Sequence, residues 1–164
     1  TIANAAKLKL ELMGFKVLIL DGDVVRSKLH CNLGFSKCDI EENNRLISEL
    51  CVKKKLEYDI ILVPIISPYR KSRSKAKNKI GKNFYDIYLF ADLETLYDRD
   101  TKGLYKQARD GVIDNLIGVS KTSKYEPPDK PDLKIDTKNN SINDSVEIFI
   151  NFVIKKNSLS ESLK

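Results

Sequence analysis

Two aspartates separated by one glycine, Asp21-Gly22-Asp23, follow directly on the apolar run Lys16-Val17-Leu18-Ile19-Leu20. Paired carboxylates at a strand end can orient a magnesium ion or take the proton of an attacking hydroxyl. Asp-Gly is also ordinary turn chemistry, and taken alone the pair reads as a turn with a helix N-cap. Arg26 stands about one helical turn past Asp23. It can fork onto a phosphate or sulfate, although a surface Arg would have the same sequence signature. Ser67-Pro68-Tyr69-Arg70 ends a second apolar run. Ser67 reads there as a helix cap with Pro68 in the first helical position, and a helix N-terminus offers free N–H groups to an anion. From Arg99 to Arg109, the cations Arg99, Lys102, Lys106 and Arg109 flank a glycine, Gly103. A solvated basic helix would look like this, and so would a phosphate-covering lid.

These groups need a scaffold that brings distant segments to one edge. The periodicity predicts a helix from Thr1 to Met13, stopped by Gly14. Buried strands are expected at Lys16–Leu20, Tyr58–Ile66 and Phe84–Phe90, with a short one at Leu133–Asp136. Helices are expected between them: Val24–Leu29, Asp39–Lys55 with Asp39 as N-cap, Tyr69–Ile80, and Leu93–Arg99. A helical lid is expected over Asp100–Ala108, a loop-rich stretch from Gly111 to Asp132, and a closing helix from Ser141 to Ile154. Strands alternating with helices predict a parallel sheet covered on both faces. Ligands then bind beyond the carboxyl ends of the strands, where the residues above fall. Residues 1–156 read as one domain and 157–164 as a flexible tail.

At 164 residues the chain can bury a core of one domain. No apolar run reaches the ~18 residues of a membrane span, so no membrane partner is expected. The opening residues lack a secretory pattern. Cys31, Cys38 and Cys51 form no metal-type spacing, which points to free thiols in a reducing cytoplasm. The single histidine, His30, has no evident partner in the sequence, which argues against a zinc site or a Ser-His-Asp triad. The net charge of +6 suits either a Lys-rich surface or polyanionic ligands. The basic clusters carry no interleaved aromatics, so a nucleic-acid platform is not expected. Steep salt dependence of RNA affinity would be its mark.

Taken in order, the stretches LDGDVVR (Leu20 to Arg26), NLGFS (Asn32 to Ser36), EENNR (Glu41 to Arg45), ISPYR (Ile66 to Arg70), DTKGLYKQAR (Asp100 to Arg109), GVIDNLIGV (Gly111 to Val119), YEPP (Tyr125 to Pro128) and PDLKIDT (Pro131 to Thr137) resemble adenylyl-sulfate (APS) kinase. The resemblance implies a P-loop nucleoside-triphosphate hydrolase-type three-layer α/β sandwich with a parallel sheet. It also implies that a first strand and a Walker A loop, ending in Gly-Lys-Ser/Thr, stand before the position of Thr1. Neither is among these residues, so the chain reads as N-terminally incomplete.

The resemblance further implies transfer of the γ-phosphate of ATP, with Mg²⁺, to the ribose 3′-hydroxyl of adenylyl sulfate. Asp21 and Asp23 would hold the metal, with Asp23 activating the hydroxyl. Ser67 and Lys102 would complete the catalytic set. Arg26, Phe35, Asn43, Ile66 and Leu116 would hold the acceptor nucleotide, Phe35 by stacking on its base. Thr1, Arg99, Arg109 and Thr137 would serve ATP. A homodimer is implied as well. The chain departs from the family pattern at Ile40 and Leu46, where Arg is usual, and at Ile65 and Leu116, where Phe is usual. Losing an Arg and an aromatic wall weighs on the acceptor pocket. A second acceptor therefore stays open, cytidine diphosphoramidate, used by a branch of the family in capsule biosynthesis. A non-catalytic, degenerate kinase subunit is the remaining alternative.

Overall fold

The structure is a computed structural model and describes residues 1–120 and 123–161, with side chains through Ser158. Helices and strands alternate: α1 (Ile2–Leu12), β1 (Val17–Ile19), α2 (Gly22–Lys28), α3 (Lys37–Lys54), β2 (Ile60–Leu62), α4 (Arg70–Ile80), β3 (Ile87–Phe90), α5 (Leu93–Asp98), α6 (Leu104–Arg109), β4 (Leu133–Asp136) and α7 (Ile142–Glu161). β1 pairs in parallel with β2, Val17 opposite Ile60. β3 pairs in parallel with β4, Ile87 opposite Leu133. The parallel α/β architecture expected from the alternation is present, with shorter strands than the apolar runs suggested.

Apolar side chains on both faces of β1 and β2 explain the layering. On one face Val17 packs with Ala6 and Leu10 of α1 and with Val146 and Ile150 of α7. On the other, Leu20, Ile61 and Val63 surround Val25 of α2 and Ile47 and Cys51 of α3. Burial pushes the Cys51 thiol up to about 11, so it is a packing residue rather than a nucleophile.

Between β2 and β3 lies a cavity of about 1790 Å³, walled by Ile61, Val63, Ile87 and Leu89 among others. Among the described residues β2 pairs only with β1 and β3 only with β4. Their facing edges leave backbone groups without ladder partners. The Ser145 hydroxyl, buried at the slot's wall, lacks a hydrogen-bond partner among the described residues.

Three boundaries differ from expectation. α3 is capped by Ser36, whose hydroxyl accepts the Asp39 N–H at 3.2 Å while Asp39 bonds back to the Ser36 N–H at 3.2 Å. Asp39 is thus the third helical residue of a capping box, not the cap itself. α4 starts at Arg70 with Tyr69 as its cap, so Ser67 and Pro68 lie in the turn before it. α7 runs to Glu161, past Ile154 and through part of the segment expected as a tail, whose residues 162–164 lie outside the described ones. No helix among the described residues is long and apolar enough to cross a membrane.

Candidate active site

Asp21 stands two residues past the end of β1 and caps α2. Its Oδ1 accepts the N–H groups of Asp23 at 3.0 Å and Val24 at 3.3 Å. The simple reading of Asp-Gly as a turn with a cap is therefore correct, and it leaves Oδ2 for a cation. Gly22 binds this turn to the neighbouring strand end: its N–H donates to the Pro64 carbonyl at 3.3 Å. A Cβ at Gly22 would lie 2.7 Å from Ile65 Cγ2, so only glycine fits. The cap thereby directs Asp23 outward from the first turn of α2.

Lys102 comes from the other sheet's connections, in the turn ahead of α6, and its Nζ donates to Asp23 Oδ2 at 2.7 Å. The pair spans 79 residues of sequence, so the turn ahead of α6 lies within reach of the α2 N-terminus. Both side chains are largely exposed, at 67% and 78%. Hydrogen bonding and charge from Asp23 raise the Lys102 pKa and keep its ammonium protonated. Gly103 caps α6 in the left-handed region, φ 68°, a backbone position that suits glycine. α6 leans on α5 through the edge-to-face pair Tyr97 and Tyr105, centroids 5.5 Å apart.

A second cluster forms beside α2. Arg26 donates Nη1 to the Leu33 carbonyl at 3.3 Å and to that of Gly34, which ties down the loop carrying Phe35. Its guanidinium carbon stands 4.8 Å from the centroid of the Phe35 ring. Phe35 is 63% exposed. An exposed phenyl held by a cation from one side offers its remaining surface to a base. Asn43 is buried on α3, its Oδ1 2.8 Å from His30 Nδ1. His30 therefore has the partner the sequence did not disclose.

A third cluster follows β3 and β4. Arg99 donates to the Thr137 carbonyl at 2.8 Å, and Thr137 Oγ1 to the Phe90 carbonyl at 2.9 Å. The two residues assigned to the ATP base are thus brought together. Asp92 caps α5 and accepts Lys138 Nζ at 2.6 Å. The hydrogen bond from Lys138, then those from Thr95, hold the Asp92 carboxyl well below the usual carboxylate range.

The turn after β2 departs most from expectation. Ser67 sits at φ 42°, the one non-glycine with positive φ among the described residues. The helix N-terminus that follows does not wait for an anion: the Arg70 N–H donates to Glu126 Oε2 at 2.8 Å. Sequence reasoning also missed Arg73, which reaches Ser67, Glu126 and Asp86 from α4.

The remaining predicted residues are placed as follows. Ile66 is exposed just before the Ser67 turn. Leu116 is half-buried and its carbonyl accepts the N–H groups of Val119 and Ser120. Thr1 precedes α1 without a side-chain cap bond and borders the slot between β2 and β3. Arg109 is exposed in the last turn of α6. Of the departures from the family pattern, Ile40 is buried on α3, a core position rather than a wall open to ligand. No group of three or more His, Cys, Asp or Glu able to hold a metal ion occurs among the described residues. The donor set of Asp21 and Asp23 suits Mg²⁺, which keeps several waters and binds through one or two carboxylates plus phosphate oxygens.

Parallel strands whose carboxyl ends carry paired aspartates, a cationic lid and an exposed aromatic shelf define an α/β nucleotide kinase of the P-loop type. The profile of the adenylylsulphate kinase family matches residues 1–136. An adenylyl-sulfate kinase of Halothermothrix orenii is 43% identical over 157 residues, covering 95% of this chain and 83% of the relative. A solved Mycobacterium tuberculosis APS kinase in complex with AMPPNP and APS superposes with a TM-score of 0.81 at 32% identity, covering 93% of this chain and 88% of that one. A hexameric APS kinase from Thiobacillus denitrificans matches with a TM-score of 0.67 at 25% identity, covering 95% of this chain and 26% of that one. The chain belongs to the adenylylsulphate kinase family.

Proposed function

We propose that this chain is an ATP-dependent kinase that converts adenylyl sulfate to 3′-phosphoadenylyl sulfate. The observation that carries this reading is the Lys102–Asp23 contact at 2.7 Å. It couples a lid cation to the carboxylate at the β1 edge, the two groups that phosphoryl transfer must bring together. A relative solved with AMPPNP and APS supports the choice of substrates.

Asp23 accepts the proton of the ribose 3′-hydroxyl as its oxygen attacks the γ-phosphorus. The bond from that phosphorus to the β,γ-bridging oxygen breaks, and ADP departs. Lys102 gives up Asp23 and turns to the transferring phosphoryl group, where its charge offsets the developing negative charge. Asp21, with Asp23, would hold Mg²⁺, which would supply charge neutralisation at the transferring phosphoryl group. Arg26 and Phe35 hold the acceptor, and Asn43, Ile66 and Leu116 border it. Arg99 and Thr137 flank the ATP base, with Thr1 and Arg109 nearer the phosphates. Assays use protein expressed from the complete reading frame.

With Mg-ATP and APS, such protein is expected to release ADP in step with a product phosphorylated on the 3′-oxygen, identified by phosphorus NMR. Active, ATP-binding protein that leaves APS unchanged overturns the reading. Phe35→Ala separates acceptor binding from ATP binding. Loss of one stacking surface is expected to raise the KM for APS about ten- to hundredfold and leave the KM for ATP unchanged.

The same reading places the enzyme in the cytoplasm, where free thiols such as those of Cys31 and Cys38 persist. A homodimer is the expected working state.

A further inference from the structure

Arg73 lies on α4 among lysines, yet its side chain is only 11% exposed. Its guanidinium touches three segments. Nη1 donates to the Ser67 carbonyl at 2.7 Å, Nη2 to the Glu126 carbonyl at 2.6 Å, and Nε faces Asp86 Oδ2 at 3.4 Å. The Ser67 hydroxyl is tied from the other side, accepting Asn44 Nδ2 at 3.2 Å. Asn44 is itself buried on α3. The strap after the 111–120 loop pairs with the same turn, the Glu126 N–H donating to the Pro68 carbonyl at 2.9 Å. Arg70 fastens that strap outside, through the Pro127 carbonyl at 2.9 Å and Asp129 at 2.9 Å.

A non-glycine residue persists at φ 42° only where its surroundings over-determine it. Here two of the polar groups of Ser67 are fixed, the carbonyl by Arg73 and the hydroxyl by Asn44. We infer that Arg73 and Asn44 form a clamp that holds Ser67 in the left-handed region and makes them positioning residues for phosphoryl transfer. This rests on the kinase reading and on the family resemblance, which implies that Ser67 belongs to the catalytic set. Through Glu126, Arg73 also joins that turn to the strap that continues from Leu116. Only a planar fork with several fixed donors serves two carbonyls and a carboxylate at once, so lysine cannot replace it. Arg73 itself contacts no substrate.

The test compares Arg73→Lys, Asn44→Leu and their double variant with wild type, all from the complete reading frame. Arg73→Lys keeps a positive charge for Asp86 but loses the fork. It is expected to lower kcat about tenfold or more, as a small misplacement of reacting groups does. The KM values for ATP and APS should stay within about threefold, because ground-state binding is intact. One clamp implies non-additivity, so the double variant should fall little further than the worse single one. Crystal structures of Arg73→Lys should show Ser67 relaxed to negative φ. An unchanged kcat, or a loss matched by a smaller fraction of protein able to bind ATP, overturns the inference while the kinase reading stands. If wild type turns over no acceptor, the kinase reading fails, and the Ser67 backbone decides the clamp independently: positive φ retained in Arg73→Lys overturns it.

Discussion

Asp23→Asn is expected to lower kcat for APS phosphorylation about a hundredfold or more, the range for loss of a positioned general base. The amide keeps the shape of the carboxylate and cannot take the hydroxyl proton. Stability should barely move, because the contact to Lys102 is exposed on both sides and surface ion pairs contribute little. The cap of α2 rests on Asp21, so the helix keeps its start. Steady-state kinetics beside a thermal melt check the prediction. A variant that lost stability along with activity, or retained most of its kcat, would remove Asp23 from the chemistry.

Gly22→Ala carries the second large effect, and for a different reason. The added methyl would meet Ile65 Cγ2 at 2.7 Å. Ile65 is branched and packs against the Val25–Ile47–Cys51 cluster, so it cannot swing aside freely. Overpacking of this kind costs about 1–3 kcal/mol. It also pushes the Asp21–Asp23 turn away from the end of β2, and kcat should fall with it. Ile65→Ala in the Gly22→Ala background empties the contested space and should recover both the melting temperature and much of the rate. Failure of that rescue would mean the two residues do not share the contact. Glycine at position 22 and an aliphatic residue at 65 thus act as a pair. That gives a packing role to one departure from the family pattern, Ile65.

Much of the fold was legible because strand and helix periods are local. The runs at Val17–Ile19 and Ile60–Leu62 are apolar on both faces because helices cover both. The carboxyl-edge placement of Asp21 and Asp23 followed from the parallel alternation, whereas Thr137 was singled out only by the family resemblance. Cap details were less legible, since Ser36 and Asp39 are both good cap residues and only the reciprocal hydrogen bonds decide between them. Long-range polar contacts were not legible at all. His30 meets Asn43, Asn44 meets Ser67, and Arg73 meets Glu126 across 53 residues. Such pairings depend on how strands and helices dock. Arg73 did leave one signal. With Tyr69, Ser72, Ala76 and Ile80 it falls on the inward stripe of an otherwise basic helix, where a solvated cation has no place. Ser67 gave none, because its left-handed backbone contradicts its residue type and is imposed by its neighbours.

The account stands most directly on which nucleotide accepts the phosphate. Protein from the complete reading frame would be given Mg-ATP with APS or with cytidine diphosphoramidate, and kcat/KM measured for each by ADP release and product identification. The account predicts a clear preference for APS, with Arg26 and Phe35 holding the adenine and Ile40 acting as core. A preference for the cytidine compound would contradict it, and would mean that Ile40 and Leu116 mark a pocket reshaped for another acceptor.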